Sequence, residues 1–218
     1  VRIGFWQKLR SYLEPVSLDR ATSPGGRRLE LFLARNQFLL HTEGALYSDG
    51  TRYLPAVVLA EHLADRLPDI GTVLVLGAGA GSLVRVLRAR GCRPSYTLVD
   101  NDQAVLRWAI ETLVDGGRQP VDGLVPVWRD AEAFMAENRL QFDLVFVDIF
   151  QGRRVPSFVT TPLFLRRCRA SVAAGGHFAL NYLVDDEQRW AKLHTLLLTI
   201  FPRAQVETAR DNRIVISD

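Results

Sequence analysis

The apolar positions of this 218-residue chain change period partway along it. Over residues 27–42 they alternate: Leu29, Leu31 and Leu33 fall on one face, Arg35-Asn36 makes a turn, and Phe38 and Leu40 resume the alternation. A period of two on both sides of a turn predicts a β-hairpin, with a third short strand over 45–47. Ahead of it, Phe5, Trp6, Leu9, Tyr12 and Leu13 mark a short amphipathic piece, and Ser-Pro-Gly-Gly at 23–26 breaks the chain. From Tyr53 the spacing becomes i, i+3, i+4, through Leu54, Val57, Val58, Leu63, Ala64 and Leu67. That period predicts an amphipathic helix ended by Pro68.

Beyond residue 70, strand-like runs at 72–76, 96–99, 124–128, 144–147 and 177–182 alternate with helical patterns at 82–90, 103–114, 131–138 and 162–172. A last helical pattern at 186–201 precedes strands at 205–209 and 213–217, joined by Arg210-Asp211-Asn212. The runs at 72–76 and 144–147 are almost unbroken apolar stretches, as strands covered on both faces should be. The order predicts an α/β protein: a Rossmann-like, doubly wound, seven-stranded and mostly parallel sheet with a small N-terminal β-hairpin extension. So short a turn between the last two strands makes one of them antiparallel. The expected division is 1–52 for the N-terminal segment and hairpin and 53–218 for the nucleotide-binding domain.

Composition adds exclusions. Hydrophobic residues make up 48% and charged residues 23%, which excludes a disordered tail, a fibre and a disulfide-dense miniprotein. Lys+Arg 27 against Asp+Glu 24 leaves +3, too small an excess to imply a nucleic-acid partner. No apolar run reaches the ~18–20 residues of a membrane helix, and the first residues lack a signal-peptide core. No membrane association and a cytoplasmic location are expected. Cys92, Cys168 and the four histidines match no ligand spacing, so no metal is expected.

The candidate chemistry gathers at strand ends. Val73 to Leu87 reads VLVLGAGAGSLVRVL, a buried strand running into a glycine-rich turn and a helix. Gly77, Ala78, Gly79 and Gly81 let the chain turn tightly and bring backbone N–H groups to a ligand. The spacing is one residue short of the dinucleotide fingerprint, which argues against a nicotinamide enzyme. Asp100 ends the second strand, where an acid can accept both ribose hydroxyls, with Asn101 beside it. Asp102 is the better cap for the following helix. Asp130-Ala131 opens the next helix, as a cap or as a partner for an adenine amine. Asp148 ends the fourth strand at the ligand edge, where a carboxylate serves as base or orienter for a nucleophile. Phe150 and Phe158 can roof the site, whereas Trp108 reads as core.

These segments together resemble class I S-adenosylmethionine-dependent transferases, and more narrowly the spermidine synthase (polyamine aminopropyltransferase) family, from about Leu29 to Tyr182. LVDNDQAV is similar to the family's E-I-D-x-x-V segment, which places Asp100 on the ribose-binding acid. Asp130-Ala131 falls on the acid that meets adenine, and Asp148 on the catalytic acid. The acceptor segment D-E-x-x-Y-x-E survives at Asp49 and Tyr53, implying an acceptor-binding acid and a second catalytic group. Gly50 and Pro55 replace its two glutamates, Ala80 stands where the glycine loop carries an acid, and Arg153 and Arg154 follow the catalytic acid. A polyamine needs carboxylates to replace its hydration. The departures therefore favour intact S-adenosylmethionine and methyl transfer to an unidentified small-molecule acceptor. Aminopropyl transfer from decarboxylated S-adenosylmethionine is the alternative, and a non-catalytic nucleotide-binding module a further one. A hairpin must pack on something, and a homodimer is expected.

Overall fold

The structure, a computed structural model, describes residues 3–42, 44–114 and 122–218. Its main sheet has seven strands in the order β10-β11-β9-β8-β5-β6-β7. These are β5 (Thr72–Leu76), β6 (Ser95–Asp100), β7 (Leu124–Trp128), β8 (Phe142–Val147), β9 (Val172–Leu183), β10 (Gln205–Ala209) and β11 (Asn212–Ser217). β11 runs antiparallel to both its neighbours, and the other pairings are parallel. The chain starts at β5, winds outward through β6 and β7, then returns to the other side of β5 as β8. That reversal opens a crevice at the carboxyl ends of β5, β6 and β8.

Alternation along β5 divides the core. Val73 and Val75 join the layer beneath α2 (Leu54–His62) and α3 (Ser82–Ala89). Leu74 and Leu76 join the opposite layer, with Phe164, Leu165 and Cys168 of α6 (Pro162–Ala170) and Leu193 and Leu197 of α7 (Glu187–Ile200). The helix predicted to end at Pro68 stops earlier, and residues 64–69 continue as a tighter 3-10 turn. Proline has no N–H for an i−4 bond, so an α-helical turn cannot close across it.

The N-terminal extension is larger than a hairpin. It is a four-stranded antiparallel sheet of β1 (Val16–Thr22), β2 (Arg28–Ala34), β3 (Gln37–Thr42) and β4 (Ala45–Asp49). Arg35 and Asn36 both take positive φ (50° and 58°), the conformation of a two-residue hairpin turn. β1 escapes the periodicity because its residues VSLDRAT are only half-buried. The alternating leucines cover their own chain: Leu29, Leu31, Leu33, Phe38 and Leu40 pack with Ala80, Val105 and Trp108. Val105 and Trp108 lie on α4 (Gln103–Leu113), and the Trp108 indole N–H donates to Asp19 of β1 at 2.8 Å. The apolar face that called for a partner is thus occupied within one chain. Phe5 and Trp6 of the short α1 (Phe5–Arg10), in contrast, are 72% and 75% exposed. Among the described residues no helix is long and apolar enough to cross a membrane.

Leu31 is fully buried in the cluster that joins the small sheet to α4. Leu31→Ala is expected to cost about 2–5 kcal/mol in chemical denaturation. A loss below about 1 kcal/mol would mean that the small sheet does not dock on α4.

Candidate functional site

The site begins with a clash that only glycine avoids. Gly77, one residue past β5, has φ 93°, and a β-carbon there would overlap the backbone carbonyl of Asp148. The Gly77 N–H donates to the Val99 carbonyl at 2.9 Å, and the Asp148 N–H to the Leu76 carbonyl at 2.8 Å. The ladders on both sides of β5 therefore run one step past its end, fixing the turn and Asp148 against each other. Gly79 (φ 50°) makes a second close approach, to the Tyr47 carbonyl.

Asp100 holds the turn from the β6 side. One carboxylate oxygen accepts the Ala78 N–H and the other the Asp102 N–H, each at 2.9 Å. A carboxylate has about four lone-pair sites, so each oxygen still has room for a ligand hydroxyl. Burial pushes the Asp100 carboxyl up to about 6, against the pull of the two N–H groups.

Asp148 sits at the other end of the same cleft. Its Oδ1 accepts the Tyr53 hydroxyl at 3.0 Å and the Asn181 amide at 2.7 Å. No further donor among the described residues reaches it, so Oδ2 is the oxygen offered to a ligand. Burial raises this carboxyl to about 6 as well, opposed by Asn181 and then Tyr53. Burial and the adjacent carboxylate push the Tyr53 phenol well above its usual range. Tyr53 is therefore a protonated donor that holds Asp148, not a base in its own right.

The cleft wall contains Tyr53, Gly77, Gly79, Asp100, Asn101, Asp130, Ala131, Asp148 and Phe150, as the sequence predicts, and Phe158. Asp130 caps α5 (Ala131–Glu137) by accepting the Ala133 N–H at 3.0 Å, and it also lies on the cleft wall. Asp102 caps α4 through the Ala104 N–H at 2.9 Å. Trp108 is buried core. Three predicted residues lie off the wall. Ala78 contributes its N–H to Asp100, Gly81 (φ 76°) precedes α3, and Asp49 bonds Arg52 at 2.8 Å in an adjoining cavity. Ala80 is 1% exposed and packs on the small sheet. The absence of an acid there consequently says nothing about the ligand's tail.

Sequence reasoning misses three contributors. Asn181 is a polar residue inside an otherwise apolar run of β9, 1% exposed, and it accepts an amide hydrogen from Asn212 at 2.6 Å. Its interruption of the run was the available signal. Tyr47 pins the loop after β8 by accepting the Gly152 N–H at 2.6 Å. Arg27 reaches the cleft from the turn between β1 and β2. Its Nε and the Asp102 Oδ2 are buried atoms without a hydrogen-bond partner among the described residues, on two side chains that belong to cleft-lining residues.

This fold, with its glycine turn, strand-end acids and small antiparallel sheet, is the class I S-adenosylmethionine-dependent transferase fold in the form that spermidine synthases take. A probable spermidine synthase from Corynebacterium glutamicum ATCC 13032 superposes with TM-score 0.74 at 18% identity, over 93% of this chain and 79% of that one. A spermidine synthase in complex with the transition-state analogue AdoDATO gives 0.69 at 17%, over 93% and 72%. Human methyltransferase-like protein 13 in complex with SAH gives 0.62 at 20%, over 77% and 81%. At these identities the likeness is one of fold. By sequence, a probable polyamine aminopropyl transferase of Bifidobacterium longum (strain NCC 2705) is 26% identical over 137 residues, and the match spans 62% of this chain and 29% of that protein. No family model matches.

Removing Asn181 tests the local electrostatics. In Asn181→Ala the Asp148 carboxyl should titrate about one to two pH units higher, since a hydrogen bond to an ionised group is worth about 1.5–3 kcal/mol. Carboxyl carbon chemical shifts followed against pH read this directly. An unchanged midpoint contradicts the assignment.

Proposed function

We propose that the chain is an aminopropyltransferase, taking its group from decarboxylated S-adenosylmethionine and passing it to a primary amine. The observation that carries this reading is the Asp148 carboxylate on the cleft wall, held through one oxygen by Tyr53 and Asn181 while the other meets no donor among the described residues. An aliphatic amine is an ammonium ion at neutral pH and must lose a proton before it can attack. A carboxylate raised to about 6 attracts the cation and is a better acceptor than an ordinary aspartate. A sulfonium donor supplies an already activated carbon, which leaves alignment, deprotonation and exclusion of water to the protein. The amine nitrogen forms the new N–C bond as the C–S bond breaks. The electron pair stays on sulfur, and the ammonium proton passes to Asp148.

The charge of the cleft supports the choice of donor. Among the described residues, Asp100, Asp102, Asp130 and Asp148 line it against Arg27 alone. An acidic cleft favours a donor with a sulfonium and an ammonium over one that also bears a carboxylate. The sequence match to a probable polyamine aminopropyl transferase supports the same choice, whereas the spermidine synthase and methyltransferase structures share the fold. In this assignment Asp100 takes the ribose hydroxyls, Asp130 the adenine amine, and Gly77 and Gly79 give the donor access to the backbone.

Methylthioadenosine release from decarboxylated S-adenosylmethionine is expected in the presence of a primary amine. Asp148→Asn should lower kcat about 10²–10⁴-fold. Because Asp148 must be ionised to take the proton, kcat/KM should rise with pH through about 6. An Asp148→Asn variant of undiminished rate, or S-adenosylhomocysteine formation from the intact donor as the faster reaction, contradicts the proposal.

A further inference from the structure

The hydrogen bonds that hold Asp148 do not end at Asn181. The Asn181 amide nitrogen has two hydrogens, and both are engaged: one on Asp148 Oδ1 at 2.7 Å, the other on the Tyr53 hydroxyl oxygen at 3.3 Å. Tyr53 in turn donates to Asp148 Oδ1 at 3.0 Å. The Asn181 carbonyl faces the other way and accepts from the Asn212 side-chain amide at 2.6 Å. The direction of this relay follows from its ends. An ionised carboxylate only accepts, so Asn181 must turn its nitrogen to Asp148 and its carbonyl away from it. Asn181 is 1% exposed, and a buried carbonyl needs a donor.

Asn212 supplies that donor because of where β11 starts. The turn at Arg210-Asp211 pairs Ala209 with Asn212. On the other side of β11, Asn212 lies opposite Leu183 and Ile214 opposite Asn181. Asn212 and Asn181 are therefore diagonal neighbours on one face of an antiparallel pair, within side-chain reach. Neither lines the donor cleft, so both act on a ligand only through Asp148. The charged residues beside Asn212 in the chain are paired, Asp211 with Arg153 at 3.4 Å and Arg213 with Glu187 at 3.8 Å. The other titratable groups about Asp148 are Tyr53, itself in the relay, and Asp100, across the glycine turn.

We infer that Asn212 is a positioning residue for the reacting carboxylate: by donating to Asn181 it keeps that amide turned with its hydrogens on Asp148, which favours the ionised form. The inference rests on the proposed function only in taking Asp148 as the base. A side chain at 212 that can only accept reverses the relay. Asn181 must then give its hydrogens to residue 212 and turn its carbonyl to Asp148, an arrangement that suits a protonated carboxyl.

Two substitutions test this. Asn212→Asp keeps the shape and, when ionised, only accepts; Asn212→Leu removes the donor without adding charge. The Asp148 carboxyl carbon shift followed against pH should show a midpoint raised by at least about one unit in Asn212→Asp and by about half a unit in Asn212→Leu. In an Asn181→Ala background each shift should fall below about 0.3 units, because the relay is already cut. An unchanged midpoint overturns the inference. Equal shifts in the two backgrounds overturn it as well, since the effect then passes through space and not through Asn181. Should the acid variant not fold, Asn212→Leu gives the same comparison. With decarboxylated S-adenosylmethionine and 1,4-diaminobutane, the rising limb of kcat/KM against pH should move with the midpoint. A midpoint that moves without the limb supports the relay and overturns Asp148 as the base.

Discussion

The absence of a β-carbon at Gly77 is the constraint from which the site follows. It lets the turn after β5 lie against the backbone of Asp148, so two strand ends that are 71 positions apart in sequence share one wall. From that contact the ladders to β6 and β8 continue past β5. They set Asp100 on one side of the glycine turn and Asp148 on the other. The small N-terminal sheet closes the remaining side, with its leucines on α4 and Tyr47 on the loop after β8. The geometry of the site is thus a property of how three strands end, while the helices supply burial.

That burial has an electrostatic consequence. Asp100 and Asp148 both hold their protons more tightly in the folded chain than carboxyls do in water. Below about pH 4 both folded and unfolded states are protonated there, and the penalty vanishes. As pH rises through about 6 the folded state must ionise two buried acids, and their contribution lowers stability. A cation in the cleft offsets it. The same burial that raises the Asp148 carboxyl thus costs the fold stability at neutral pH, an instance of the usual exchange between stability and site chemistry.

Much of this was legible in the sequence, because it is written in local patterns. Unbroken apolar strands, helical periods and a glycine turn identify the doubly wound sheet, and Asp100 and Asp148 stand out as acids ending strands. Tyr53 was legible only through family resemblance, since it meets Asp148 across 95 residues. Asn181 meets Tyr53 across 128 residues, and no local period encodes such a meeting. Ala80 shows the opposite failure. Its place in a ligand-binding loop suggested a ligand-facing side chain, but the loop's positive-φ glycines turn it into the core. β1 went unseen because a half-buried strand carries little alternation, and α1 kept its apolar period without burying it.

The two cavities on either side of Tyr53 differ in charge: the one holding Asp100 and Asp148 is lined mainly by acids, and the other by more basic than acidic side chains. The account stands or falls on where an adenosyl thioether lies in this division, and a crystal structure with methylthioadenosine bound measures it directly. The ribose hydroxyls should rest on Asp100, the adenine near Asp130, and the sulfur at the Asp148 end, facing the wall shared with the second cavity. A ligand seated with its sulfur away from Asp148, or with Asp100 making no contact to the sugar, would contradict the account.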